Sequence, residues 1–104
     1  MALLLALVPM AGCQNKREDS GKLKVIATLF PQYDFARTLS GDKAQVELLL
    51  PLGVESHSFD PKPSDIVAIN NCSVFLYTGK YMESWAEQLV SGIDTSAVRV
   101  VDLS

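Results

Sequence analysis

Four short apolar runs alternate with stretches of helical spacing, and this alternation constrains the fold more than anything else in the chain. The runs are LKVIATL (Leu23 to Leu29), QVELLL (Gln45 to Leu50), SVFLYT (Ser73 to Thr78) and VRVVDL (Val98 to Leu103). Their β-branched content and lack of strict alternation are the marks of strands buried on both faces. Between the first two, Phe35, Ala36 and Leu39 make a stripe at i, i+1 and i+4, and Gly41 supplies a stop. Pro63 suits the first position of the next helix, PSDIVAINN, with Ser64 and Asp65 in its first turn and Ile66 and Ile69 on one face. The third helix, MESWAEQLVSGI, has the cleanest period: Trp85, Ala86, Leu89, Val90 and Ile93, with Gly92 marking its end. Strand and helix in strict succession predict an α/β fold, a four-stranded parallel sheet with flanking helices joined by right-handed crossovers.

The first dozen residues stand apart. Met1 to Gly12 reads MALLLALVPMAG, uncharged and too short to span a bilayer as a helix. Ala11 and Gly12 lead into Cys13, after which QNKREDSGK turns abruptly polar. An export signal over residues 1–12, followed over residues 13–22 by a flexible tether, has this form. Residues 23–104 are then the folded part, fewer than 90 residues, which allows only a marginal core. The chain closes on a strand without a covering helix, so this part is expected to be an incomplete lobe.

With Cys13 in the tether, Cys72 is the one other thiol. It is either buried and reduced or intermolecular, and its place just before an apolar strand favours a small buried hydrophobe. The net charge of −3, with no Lys and Arg cluster and no aromatics interleaved among the basic residues, argues against a nucleic-acid partner.

Ligands of open parallel sheets gather at loops that follow the carboxyl ends of strands. Three such segments are present: Phe30 to Tyr33, Pro51 to Pro63, and Gly79 to Glu83. The second is the longest and holds His57, the one histidine of the chain, among Glu55, Ser56, Ser58 and Asp60. These neighbours offer acceptors that orient one imidazole nitrogen and leave the other for a metal. A lone histidine in a polar loop is more often simply exposed, and general acid or base work by His57 fits the spacing equally well. No nucleophile elbow, phosphate loop or dinucleotide fingerprint accompanies it.

The motif around His57 is longer than one residue. LLPLGVESHSFDPKPSDI (Leu49 to Ile66) carries Pro51, Gly53, Glu55, His57, Phe59, Asp60, Pro61, Pro63, Ser64 and Asp65 in tight spacing. It closely resembles the substrate-binding lipoproteins of zinc and manganese ABC importers, the cluster A-I or metal-binding adhesin family. YTGKYMESWAEQL is similar to that family's glycine-containing loop and following helix, and Met10-Ala11-Gly12-Cys13 is similar to a lipobox. Leu52 departs from the family, which commonly has a second proline there.

The resemblance implies one lobe of a bilobal periplasmic-binding-like fold and an exported protein, anchored through a lipid on Cys13 to the outer face of the bacterial cell membrane, or periplasmic. Such a protein captures Zn²⁺, or less readily Mn²⁺, and delivers it to the permease of an ABC importer, with His57 as one metal ligand and no bond made or broken. The other ligands would lie beyond Ser104. Two alternatives stay open: a small exported enzyme pairing His57 with Asp34, Asp60, Glu83 or Asp102, and a surface adhesin.

Overall fold

The computed structural model describes residues 21–104; the predicted export signal, Cys13 and most of the tether lie outside the described residues. The elements in order are β1 (Leu23–Ala27), α1 (Phe30–Ser40), β2 (Ala44–Leu48), α2 (Pro63–Asn70), β3 (Val74–Tyr77), α3 (Gly79–Met82), α4 (Ser84–Ser91) and β4 (Arg99–Asp102). The strands form the expected four-stranded parallel sheet, in the order β2-β1-β3-β4. Val25 of β1 stands opposite Val46 and Val74, and Ala27 opposite Leu48 and Leu76.

From β1 the chain moves outward to β2, then returns past β1 to β3 and continues to β4. With right-handed crossovers, this reversal places α1 on one face of the sheet and α2 and α4 on the other. The core lies on the second face. Ile26 and Phe75 from the sheet meet Ile69 and Cys72 at the end of α2 and Ile93 and Val98 after α4, with Leu89, Val90, Tyr77 and Val100 packed around them.

The first face corrects the expected burial of both sides. Phe35 and Leu39, predicted as part of the inward stripe of the first helix, are 71% and 85% exposed. The half-buried stripe is instead Tyr33, Ala36 and Ser40, at i, i+3 and i+7. Phe35 and Leu39 line an apolar groove of about 390 Å³ with Pro31, Ala36, Leu76 and Leu103. Period alone does not say which of two adjacent stripes faces the sheet. Here the amphipathic Tyr33 and the small Ser40 take the inner side.

Two helix boundaries also differ. The first helix begins at Phe30, with Pro31 in its first turn, where a missing N–H has no intrahelical partner to lose. The Leu29 N–H donates to the Gln32 side-chain oxygen at 2.9 Å, which sets the start of the helix. After Gly79 there are two helices in place of one. They separate at Glu83, whose fully buried carboxylate accepts the Thr78 N–H through Oε2 at 2.6 Å. The other oxygen, Oε1, has no hydrogen-bond partner among the described residues. Gly79 makes the turn out of β3 at φ 65°, and a side chain there would meet Ser104 Cβ at 2.7 Å.

Cys72 is buried, and its thiol approaches the Val74 carbonyl at 3.3 Å. Burial pushes its pKa up, against a smaller opposing pull from Lys24. The thiolate is the reactive form, so Cys72 is expected to be alkylated by iodoacetamide at least about tenfold more slowly in the native chain than in denaturant. Peptide mapping by mass spectrometry measures this directly, and equal rates would contradict it.

Candidate metal centre

The segment between β2 and α2, residues 49–62, has no regular structure, which follows from its composition. Pro51 and Gly53 end the strand, Pro61 and Pro63 deny helical bonds upstream of α2, and nothing between them has a period. At its far end the Lys62 N–H donates to Asp65 Oδ2 at 2.8 Å, and Pro63 opens α2. One flank of the segment shares a groove with Leu29, Phe30 and Pro31 at the start of α1. The other flank touches Met82 and Trp85. It therefore crosses the carboxyl ends of β1 and β3, from which the chain departs in opposite directions, the switch point at which open α/β sheets bind ligands.

His57 sits at the crest of this crossing with its side chain 61% exposed. Of the four polar neighbours in the sequence, Glu55 engages it most closely. Glu55 Oε1 lies 2.6 Å from His57 Nδ1 and accepts the His57 backbone N–H at 2.9 Å. Its second oxygen accepts the Ser58 N–H at 3.1 Å. These bonds, led by the His57 backbone and ring donors, hold the Glu55 carboxyl down at a pKa of about 2. A charged carboxylate only accepts, so in the neutral ring Nδ1 carries the proton and Nε2 keeps its lone pair. Nε2 makes no hydrogen bond among the described residues, on a side chain that is 61% exposed. A carboxylate behind an imidazole in this way fixes the tautomer and raises the basicity of the free nitrogen, as behind metal-bound histidines.

The remaining neighbours do other things. Ser56 Oγ approaches Met82 Sδ at 3.6 Å, and the Ser58 backbone is held by Glu55. Asp60 lines a groove of about 340 Å³ with Pro61, Ile66, Trp85 and Leu89. The carboxylates considered as enzymatic partners are likewise engaged elsewhere. Asp34 pairs with Arg37 at 2.9 Å, Glu83 is buried against Thr78, and Asp102 accepts the Ser104 N–H at 2.9 Å. Among the described residues no three His, Cys, Asp or Glu side chains gather as a metal cluster. Trp85, assigned from its period to a packing stripe, has a second role. Its indole N–H donates to the Ser56 carbonyl at 2.7 Å, and its ring meets Phe59 edge-on at 5.0 Å.

Comparison with known proteins agrees with this architecture. The model of the family described as zinc-uptake complex component A, periplasmic, matches residues 25–104. The zinc-binding lipoprotein AdcA of Streptococcus pneumoniae is 34% identical over 101 residues, 97% of this chain and 20% of that protein. The high-affinity zinc uptake system protein ZnuA of Bacillus subtilis is 37% identical over 84 residues, covering 80% of this chain and 26% of its own length. The chain thus spans about a fifth to a quarter of the length of these two relatives. Among solved structures, the Zn(II)-bound ZnuA-like domain of S. pneumoniae AdcA superposes with a TM-score of 0.73 at 33% identity, over 79% of this chain and 31% of that one.

Proposed function

Since the chain belongs to the zinc-uptake complex component A family, we propose that it serves extracytoplasmic metal capture, with His57 offering Nε2 to a Zn²⁺ ion that is cargo and not a catalyst. The observation that carries this is the Glu55–His57 pair, 2.6 Å apart at the switch point of the sheet. It occupies one imidazole nitrogen and leaves the other with its lone pair free on an exposed side chain. A lipid on Cys13 would hold the protein at the outer face of the cell membrane. Delivery would be to the permease of an ABC importer, with no chemistry performed on the ion. Zinc is favoured over manganese because a nitrogen donor suits it, whereas manganese takes carboxylate, carbonyl and water oxygens more readily.

A single imidazole fills one of the four tetrahedral positions of zinc. The other donors come, on this proposal, from outside residues 21–104. The chain by itself is accordingly expected to bind Zn²⁺ more weakly than about 1 μM. The test is a Zn²⁺ titration of the full chain followed through the His57 ring nitrogens by NMR. At pH 7.5 the Nε2 signal is expected to move with zinc while Nδ1 keeps its proton. Affinity should fall as pH drops, because a proton competes for the same lone pair.

Glu55 has a pKa lowered from 4.5 to about 2. Its contribution to the loop is therefore complete above about 4.5 and is lost only as pH falls through about 2. Over the interval from pH 7.5 to 5.5 the Glu55 carboxylate stays charged, so any loss of zinc there does not come from Glu55. A zinc response at Nδ1, or one indifferent to pH over that interval, would sink the assignment. A sub-micromolar site would refute the single-ligand account.

A further inference from the structure

We propose that Trp85 is a positioning residue for His57, holding the peptide unit that carries the imidazole and thereby fixing how Nε2 is presented. The proposal rests on the metal role of His57, and the bonds it invokes belong to the zinc-free chain.

A tryptophan at helical spacing is ordinarily a core residue, yet Trp85 stands outside the cluster built around Phe75 and Ile26, to which its helix-mates Leu89 and Val90 belong. It is half-buried and spends its contacts on the loop. The indole N–H is a donor only, and when covered it must find an acceptor. The acceptor is the Ser56 carbonyl at 2.7 Å, 29 residues away in sequence.

That carbonyl and the His57 N–H belong to the same peptide bond. The N–H end is taken by Glu55 Oε1 at 2.9 Å, so both polar ends of one planar unit are fixed by side chains. Phe59, two residues beyond His57, is met by the edge of the same indole ring at 5.0 Å. Trp85 thus grips the loop on both sides of the histidine, whereas Glu55 grips it from within. Its own position is referenced to the sheet. Glu83, two residues earlier, is buried and accepts the Thr78 N–H at the end of β3. The chain of fixed points runs from β3 through Glu83 and Trp85 to the Ser56–His57 peptide. Small errors in such supporting contacts translate into a ligand that is present but loosely aimed.

The experiment compares the full chain with Trp85→Phe, which keeps an aromatic ring against Phe59 but removes the N–H. The control is Leu89→Ala, which weakens the same helix and borders Asp60 and Pro61 but removes no hydrogen bond to the Ser56–His57 peptide. Three readouts are taken: the thermal midpoint, the order parameters of the Ser56 and His57 amides without metal, and the Zn²⁺ titration. Trp85→Phe is expected to lower the His57 order parameter and weaken zinc binding about three- to tenfold. Leu89→Ala is expected to lower the midpoint at least as much and leave both loop readouts unchanged. Replacing the tryptophan by 3-benzothienylalanine, an isostere without the N–H, should repeat the Phe result; this is clean because the chain has a single Trp. Unchanged order and affinity in Trp85→Phe, or equal loss in Leu89→Ala, would overturn the proposal. If the wild-type His57 ring ignores zinc, the capture function falls, and the order parameters still decide the positioning role.

Discussion

A His57→Ala chain is expected to lose the zinc response altogether while melting within a few degrees of wild type. The imidazole is exposed and contributes little packing, so its removal belongs with surface substitutions that change stability by no more than about 0.5 kcal/mol. For a domain of this size that is a shift of at most about 4 °C. The Glu55 carboxylate keeps its bonds to the backbone N–H groups of residues 57 and 58, so the loop retains its internal ties. Glu55→Gln should behave differently. The amide oxygen still accepts from Nδ1, but the charge that strengthens Nε2 is gone, and second-layer changes of this kind weaken metal binding by about tenfold or more. Calorimetric titration of the three chains side by side orders them as wild type, Glu55→Gln, His57→Ala. Residual zinc heat in His57→Ala equal to wild type would show that the metal is held elsewhere.

Replacing Phe75 with alanine is expected to remove most of the chain's stability at 25 °C. Phe75 is fully buried in the central strand β3, stacked 6.1 Å from Tyr77 and surrounded by Ile26, Ile69 and Val98. Truncating a buried phenylalanine costs about 3–5 kcal/mol, and a small domain commands only about 5–15 kcal/mol in all. This sheet has its α1 face only partly covered, with Phe35 and Leu39 left in the open, which puts the chain toward the lower end of that range. Circular dichroism melts would register a midpoint lowered by roughly 12 °C or more. A fall of less than about 5 °C would mean that the α2–α4 side is not the main source of stability.

The strands were legible because β-branched runs bounded by Pro, Gly and Asn admit few other conformations, and parallel pairing followed from their alternation with helices. What the pattern could not convey was direction. Phe35 and Leu39 form as good a stripe as Tyr33, Ala36 and Ser40, and the choice between them is made by the sheet. Glu83 entered as the end of a strand-following loop and as a possible partner of His57, since burial of a carboxylate is rare and leaves no mark in the period. It splits the expected third helix by accepting the Thr78 N–H. At the candidate site, His57 and its acceptor neighbours were visible, but selecting Glu55 over Ser56, Ser58 and Asp60 required the backbone of an aperiodic loop. The bond from Trp85 to Ser56 joins residues 29 apart and leaves no trace in either segment's period.

The strand order has a consequence for how the chain acquires its shape. The sheet contains no hairpin, and every pairing in it joins parallel strands across a crossover. β1 is central, yet it precedes β2, β3 and β4 in the chain. Its partnership with β3 joins Val25 to Val74, so one of its edges must wait for some fifty further residues to be made. Non-local closure of this kind is slow, since chain entropy is lost before contacts compensate for it. A nascent chain with β1 and β2 complete still has an open apolar edge and no core on the Phe75 side. Only when β3 emerges do both edges of β1 find their partners and the Phe75 side its core.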